Sequence, residues 1–238
     1  MPSDSTSEAD PTPGRVPPAD TTSPRRVEVP AARMPGWLDR LGQAHGGLTA
    51  TLSADAHLVQ VRAGDGLQAE LTVPFGPLRP GPLDPLAALL DHLARPRRVG
   101  LLLVRRGGFA AGVVQSGVLA EARVGTRHVQ GRTAAGGWSQ KRFARRRLKQ
   151  TDELCAAATE LAVQVLGAAT GLDAVLTGGD RRLLAAVLED RRLARLRPLV
   201  AARVLDVADP RRRVLEAAAA RCDAVLATLT EQTEDSTR

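Results

Sequence analysis

The sequence has few of the residues that characterise several common classes of protein. Only two cysteines occur in 238 residues, Cys155 and Cys222, and each lies in an alanine-rich stretch with a helical pattern. Such cysteines are typical of small buried apolar residues in a reducing compartment, so we expect neither a disulfide nor a metal role. Tyrosine is absent and aromatic residues make up 2% of the chain, which argues against nucleic-acid binding through stacking platforms.

Long apolar runs are also missing. No segment approaches the roughly 18 to 20 consecutive apolar residues that a membrane span requires, and the N-terminus has no apolar stretch typical of a secretory signal. We therefore expect a soluble, cytoplasmic protein without a membrane partner. Because 43% of the residues are hydrophobic, the chain can still bury one sizeable core and a small accessory unit.

The sequence gives little support for a histidine-based site, a metal site or a nucleotide-hydrolase site. The four histidines show no metal-ligand spacing, and His128 fits an RNA contact or a surface position better than a proton shuttle. Asp180 and Asp206 follow predicted strands, where two carboxylates could hold magnesium, but Asp180 is better interpreted as the cap of the next helix. No phosphate-binding loop of nucleotide hydrolases is present. We expect no metal and no cofactor.

Positive charge is concentrated in one segment. The chain carries a net charge of +7, and residues 126–149 contain eight basic residues and no acidic one, so the rest of the chain is close to neutral. Arginine is abundant throughout, but compositional bias does not explain this clustering. The only two lysines, Lys141 and Lys149, also fall here. The segment therefore predicts contact with a polyanion.

The two ends of the chain are predicted to lack structure. Residues 1–34 are rich in proline, serine, threonine and aspartate with almost no apolar periodicity, and residues 229–238 are similarly polar. Such segments cannot bury enough apolar surface to offset the entropy lost on ordering. We therefore expect a disordered tail at each end.

Residues 35–84 predict a small N-terminal α+β unit. A helix is expected over 34–45, followed by strands over 56–62 and 67–73 around a glycine-rich turn. A proline-rich connector then marks the boundary with the main domain.

The main domain is predicted to span residues 85–228. Its expected elements are a helix at 85–94, strands at 99–104, 109–115 and 118–124, a long helix at 140–167, a strand at 172–176, a helix at 180–190, a strand at 202–207 and a helix at 210–228. The order after the first helix, βββαβαβα, predicts an α/β fold with a mixed sheet of three antiparallel strands and then βα units, with helices packed on it. Apolar residues repeat every three or four positions along the long helix, so its inner face is expected to include Leu148, Leu154 and Ala158.

A loop of small residues leads into this long helix. Gly136 and Gly137 let the backbone approach a ligand closely, and Ser139 is placed to cap the helix. The first turns then hold six basic residues and no acid, although a basic residue at a helix start costs about 0.3 to 1 kcal/mol. Binding of these side chains to phosphates offsets this cost, because each neutralised phosphate releases counterions. The segment therefore favours RNA binding over a solvated basic face.

The block 130–147 resembles a known family. It is similar to the glycine-glycine-glutamine loop and following helix in the central domain of eukaryotic and archaeal class 1 peptide chain release factors, and Arg142-Phe143-Ala144-Arg145 matches that helix start residue for residue. Segments 172–180 and 203–207 are similar to the same domain. The Gly-Gly-Trp-Ser-Gln form resembles more closely the actinobacterial branch of release-factor-like peptidyl-tRNA hydrolases, related to the tRNA-releasing factors of eukaryotic ribosome quality control.

One position departs from the release-factor pattern. With the two glycines aligned, Trp138 stands in the place of the glutamine, and Gln140 follows two residues later. In the hydrolase branch, the later glutamine is the expected catalytic residue.

The resemblance implies a release-factor central-domain fold and peptidyl-tRNA hydrolysis. Gln140, presented by Gly136 and Gly137, would orient water against the ester, because an amide cannot act as a general base near neutral pH. The residues implied in RNA binding are Arg132, Trp138, Lys141, Arg142, Arg145, Arg146 and Lys149. The implied partners are the large ribosomal subunit at its peptidyl transferase region, ribosomal RNA and peptidyl-tRNA. Cleavage of the tRNA near its 3′ CCA end, and non-catalytic RNA binding, remain the alternatives.

Overall fold

The protein contains two five-stranded β-sheets. The structure, a computed structural model, describes residues 24–79, 81–127 and 139–231, and within residues 139–144 it describes the backbone only. None of the helices in these ranges combines the length and apolar character of a membrane span.

The first sheet is antiparallel throughout, with the strand order β1-β10-β4-β3-β2. Its strands are β1 (Arg25–Val29), β2 (Leu48–Leu52), β3 (Leu58–Ala63), β4 (Gln68–Thr72) and β10 (Val225–Thr230). Helices α1 (Met34–Ala44) and α2 (Pro85–Ala94) contribute Met34 and Leu89 to the core that covers its apolar face. The expected helix and hairpin are present here, together with the unpredicted strand β2.

Both ends of the chain take part in this sheet, which corrects two expectations. Residues 25–34 do not belong to a disordered tail, because β1 pairs with β10 and Met34 is fully buried. The expected final helix over 210–228 stops early, at Ala219, and the chain then forms β10, whose last residues Leu229 and Thr230 lie in the predicted C-terminal tail. The alanine-rich helical pattern conceals this change, and the strands that pair with β10 lie about 150 and 200 residues earlier in the chain. The N-terminal unit is therefore not self-contained.

The second sheet has the strand order β7-β6-β5-β8-β9. Its strands are β5 (Arg98–Arg105), β6 (Gly108–Gln115), β7 (Val118–Gly125), β8 (Ala174–Gly179) and β9 (Val200–Leu205). Strands β5, β6 and β7 pair antiparallel, whereas β5, β8 and β9 pair parallel. The predicted mixed α/β fold is confirmed, including three antiparallel strands followed by βα units.

Helices cover both faces of the second sheet. Helix α3 (Ser139–Ala162) and helix α4 (Arg181–Leu188) pack on one face through Leu154, Ala158 and Leu184. Helix α5 (Arg212–Ala219) covers the other face through Leu215 and Ala218.

Local chemistry sets the turn from β8 into α4. Gly179 has φ of +103°, and a Cβ atom at this position would collide with the carbonyl oxygen of Val104, so the turn requires glycine. The Asp180 carboxylate then accepts hydrogen bonds from the backbone N–H groups of Arg182 at 2.9 Å and Leu183 at 3.3 Å. Asp180 is therefore the helix cap that the sequence predicts.

Helix α3 is longer than the sheet on which it packs. With the π-helical turn Val163–Gly167 that follows it, it measures about 43 Å at 1.5 Å per residue, whereas an eight-residue strand spans about 26 Å. Its C-terminal end lies at the start of the parallel strands, where Leu166 contacts Gly100. The N-terminal part of α3 therefore projects past the opposite edge of the sheet.

The burial of side chains along α3 agrees with this projection. No side chain from Arg145 to Glu153 is buried, and Leu154 is the first buried one among those described. Leu148 is 65% exposed, so its expected place on the inner face is wrong. The apolar spacing continues there, but the helix has already passed the sheet.

One carboxylate connects the two sheets. Glu28 on β1 accepts hydrogen bonds from Arg221, which follows α5, at 2.7 Å and forms an ion pair with Arg203 on β9 at 2.8 Å. The hydrogen bonds from Arg221 hold the pKa of the Glu28 carboxyl below its ordinary value, although partial burial opposes this.

We predict that Glu28→Gln lowers the free energy of unfolding by about 1 to 2 kcal/mol near neutral pH, because two charge-assisted contacts weaken. A carboxyl with a lowered folded-state pKa stabilises the fold above its unfolded pKa of about 4.3, and this contribution disappears as the pH falls through the folded-state value. Urea unfolding of the two proteins from pH 7 down to pH 3 measures the difference. Glu216→Gln, which removes an exposed pair with Arg212, is the control and should cost under about 0.5 kcal/mol. Equal effects of the two substitutions would contradict the role of Glu28.

We further predict that Leu154→Ala costs about 2 to 4 kcal/mol of unfolding free energy, because Leu154 is fully buried against the sheet. Leu148→Ala, on the exposed part of the same helix, should change stability by less than about 0.5 kcal/mol. Thermal or urea unfolding compares the two substitutions directly. A large cost at Leu148 would show that the helix packs along its whole length.

Candidate functional site

Four connections meet at one edge of the second sheet. Strands β5, β7, β8 and β9 point the same way, so their carboxyl ends lie together. We call this the carboxyl edge, consisting of residues 105–108, 125–127, 179–182 and 206–213.

Contacts between the connections show that the carboxyl edge is a continuous surface. The backbone N–H of Asp180 donates to the Val104 carbonyl at 2.8 Å. The Arg105 guanidinium donates to the Val207 carbonyl and lies 4.0 Å from Asp206. A Cβ atom at Gly108 would lie 3.1 Å from the carbonyl oxygens of both Gly125 and Pro210.

The projecting part of α3 begins on the far side of this edge. We call residues 139–153 the arm. Ser139 lies about 22 Å along the helix axis from Leu154, at 1.5 Å per residue. Strand β7 and the arm are joined by residues 126–138, which include the predicted loop.

The structure locates part of the predicted site. The loop residues of that prediction lie outside the described residues: His128, Arg132, Gly136, Gly137 and Trp138. The backbones of Gln140, Lys141 and Arg142 lie in the first turn of α3, so Gln140 belongs to the helix that follows the loop. The described side chains, Arg145, Arg146 and Lys149, are exposed on the arm.

The exposed basic residues lie away from the packed face of α3. Nine residues turn an α-helix by two and a half turns, so Arg145 points opposite to Leu154 and Lys149 opposite to Ala158. Both Leu154 and Ala158 are fully buried. The arm therefore presents positive charge on the side that is free to meet a partner.

This charge is not neutralised within the described part of the chain. Neither Arg145, Arg146, Arg147 nor Lys149 forms an ion pair with a described residue. No acidic residue occurs in the arm before Asp152. Positive residues at a helix start, and like charges four residues apart, both lower helix stability. These basic residues therefore do not stabilise the helix, and binding of an anionic partner explains their arrangement better.

The cysteines have the character of core residues. Both thiols are free, and Cys222 is buried while Cys155 is half-buried on α3. Burial raises the pKa of Cys155, with smaller contributions from Asp152 and Asp180, and burial raises the pKa of Cys222 to about 11. Neither sulfur is therefore an activated nucleophile at neutral pH.

His92 has a structural position. Its Nε2 atom lies 2.9 Å from the carbonyl oxygen of Pro74, which fastens α2 to the proline-rich connector. Burial lowers the pKa of His92, so the ring is neutral near pH 7. In the described part of the chain, no three histidine, cysteine or acidic side chains come together in a way that could hold a metal ion.

Sequence reasoning did not single out the other arginines of the carboxyl edge. Arg106, Arg181, Arg182, Arg211 and Arg213 are all exposed there, but they are spread over more than a hundred residues of sequence. One shared signal was available, because consecutive arginines occur at the end of β5 and within a few residues after the ends of β8 and β9.

The fold is similar to solved structures that share little sequence identity with this chain. A solved structure described as the Vms1 mitochondrial localization core has a TM-score of 0.41 and 9% identity, and the alignment covers 77% of this chain and 92% of that one. The archaeal translation termination factor aRF1 has a TM-score of 0.36 and 15% identity, covering 80% of this chain and 61% of that one. No curated protein matches the sequence.

A family model gives the assignment. The model of the Actinobacteria/chloroflexi VLRF1 release factor matches residues 97–228. This range is more than half of the chain and includes the whole second sheet with α3, α4 and α5. The chain belongs to the Actinobacteria/chloroflexi VLRF1 release factor family.

Proposed function

We propose that this protein is a peptidyl-tRNA hydrolase that releases nascent peptides from tRNA on stalled ribosomal complexes. The observation that carries the proposal is the arm: a helix that projects past its sheet, exposes basic residues without an ion pair among the described residues, and begins directly after the segment Gly136 to Trp138. Membership of a release-factor family implies interaction with the ribosome, and the arm supplies a part of the molecule narrow enough to enter a confined RNA site.

The proposed reaction is hydrolysis of the ester that joins the peptide to the tRNA. Water adds to the ester carbonyl carbon, and the bond from that carbon to the tRNA 3′ oxygen breaks. One proton of the water ends on that oxygen and the other passes to solvent. The products are a free peptide carboxylate and a tRNA with an intact 3′ terminus. An amide is too weak a base to take the proton, so Gln140 acts by orienting the water through its backbone N–H or its side chain. Ribosomal RNA and the terminal ribose hydroxyl complete the proton transfer.

The flanking residues have supporting roles in this proposal. Gly136 and Gly137 allow the loop backbone to approach the ester closely. Arg132, Lys141, Arg142, Arg145, Arg146 and Lys149 bind phosphates of ribosomal RNA or of the tRNA acceptor end. Trp138 either stacks on a base or packs against the loop.

We predict that Gln140→Ala slows peptide release by roughly 100- to 1000-fold, the loss that follows removal of one positioned hydrogen-bonding group from an acyl-transfer site. The assay uses purified stalled large-subunit complexes carrying labelled peptidyl-tRNA. It measures both released peptide and the length of the tRNA 3′ end. Gln43→Ala, which removes the same amide from an exposed position of α1, should release peptide at the wild-type rate.

The products of this assay separate the candidate activities. Released peptide with an intact tRNA terminus supports hydrolysis, whereas a shortened terminus identifies cleavage of the tRNA itself. Binding without either product identifies a non-catalytic ribosome-binding factor. Full activity of Gln140→Ala would remove the Gln140 side chain from the mechanism.

A second prediction concerns the basic face of the arm. Replacing Arg145, Arg146 and Lys149 together by glutamine should raise the protein concentration needed for half-maximal release by about tenfold or more, and make release less sensitive to salt. The maximal rate should change little, because these side chains bind phosphate and do not position water. Titration of the variant at several KCl concentrations separates the two parameters. A fall in maximal rate at an unchanged half-maximal concentration would contradict the binding role.

A further inference from the structure

Exposed arginines collect at the carboxyl edge from four separate connections. The β5–β6 turn contributes Arg106, the end of β7 contributes Arg127, the start of α4 contributes Arg181 and Arg182, and the start of α5 contributes Arg211 and Arg213. The contacts of Asp180 with Val104, and of Arg105 with Val207, hold these connections side by side.

These arginines differ in their partners from three arginines that lie between α4 and β9. There the guanidinium groups hold segments together: Arg192 donates to Glu160, Arg195 to the carbonyls of residues 166, 167 and 169, and Arg197 to the carbonyls of residues 188 and 189. At the carboxyl edge, in contrast, Arg127 donates only to the carbonyl of its neighbour Thr126.

Five further exposed arginines of the edge have no such role. They are Arg106, Arg181, Arg182, Arg211 and Arg213, and none of their side chains has a hydrogen bond or ion pair with a described residue. The fold therefore gains little from these cations.

The nearby acidic groups do not neutralise these arginines, because they are few and most of them already interact with other groups. Asp180 caps α4, Glu216 pairs with Arg212 at 2.7 Å, and Asp206 faces Arg105. Asp209 lies against Gly107 and is the remaining carboxylate of the edge. The carboxyl edge therefore keeps a clear excess of positive charge.

This positive charge lowers the stability of the local structure. Helices α4 and α5 each begin with two consecutive arginines, at the helix end where positive charge is unfavourable. The five strands place these residues across a width of about 19 Å, which is enough to meet several phosphates of one nucleic-acid strand.

We propose that the carboxyl edge is a second RNA-binding surface, which binds the phosphate backbone of structured RNA. It lies about 15 to 20 Å behind the start of the arm. This inference extends the proposed function, because it assigns the arm to the inner part of an RNA site and the carboxyl edge to its entrance. Guanidinium groups suit this role, since their planar N–H donors match phosphate oxygens in pairs. Because these groups come from four connections, they are spaced to contact a continuous phosphate backbone.

The test compares two triple variants of the full-length protein. The edge variant combines Arg106→Gln, Arg182→Gln and Arg213→Gln, one from each of three connections. The control variant combines Arg33→Gln, Arg40→Gln and Arg191→Gln, which are exposed arginines away from this edge and without an ion pair among the described residues. Affinity for purified large ribosomal subunits, and for a fluorescein-labelled, protein-free RNA duplex, is measured against KCl concentration.

We expect the edge variant to bind both probes about tenfold or more weakly, and the slope of log affinity against log salt to become shallower by roughly 2 to 3. The control variant should bind as the wild type does. Equal binding by the edge variant and the control overturns the proposal. Weaker binding to subunits with unchanged binding to the RNA duplex also overturns it, because the partner would then be an acidic ribosomal protein.

Gln140→Ala separates this proposal from the proposed function. It should bind both probes normally while releasing peptide roughly 100- to 1000-fold more slowly than the wild type. If Gln140→Ala retains release and the edge variant still loses RNA affinity, the hydrolase mechanism fails and the RNA surface stands. If Gln140→Ala loses release and the edge variant binds normally, the RNA surface fails and the mechanism stands.

Discussion

The molecule is organised by the difference in length between helix α3 and the sheet beneath it. The strands span about 26 Å and the helix with its π-turn about 43 Å, so one end of the helix has no sheet to pack on. Leu154, Ala158 and Ala162 anchor the C-terminal half with fully buried side chains. A helix anchored in this way is stiff, because its backbone hydrogen bonds continue from the packed half into the arm. The arm can therefore carry residues to a distant partner without a separate scaffold.

Topology adds a second consequence. In a sheet whose β5, β7, β8 and β9 strands all point one way, every following connection emerges at the same edge, and this is also the edge past which the arm projects. Arginines that are far apart in sequence thus become neighbours of the arm. Their mutual repulsion is tolerated because most of them are exposed and screened by solvent, while Asp180 and Asp206 neutralise the charge nearest the sheet. The positive charge of both proposed RNA-binding surfaces, the arm and the carboxyl edge, therefore lies at the same edge of the sheet.

The first sheet depends on contacts between the two chain ends. Strand β10 lies between β1 and β4, so the N-terminal unit cannot complete its core until the second sheet and its helices have been synthesised. Glu28 then joins β1 to Arg203 and Arg221, which belong to the second sheet and the segment after α5. The two sheets are therefore coupled by covalent continuity and by charge, although their apolar cores are separate clusters.

The sequence by itself determined the elements with local signals: the period of α2, the turn residues around β6 and β7, the Asp180 cap and the basic cluster before Gln150. These depend on neighbours within a few residues, which composition and spacing record. Only the tertiary structure decided that β1 and β10 form strands, that Leu148 is exposed, and that Arg106, Arg182 and Arg213 share one surface. Each of these depends on partners far away in the chain, or on where a helix passes the end of a sheet, and no local pattern carries that information.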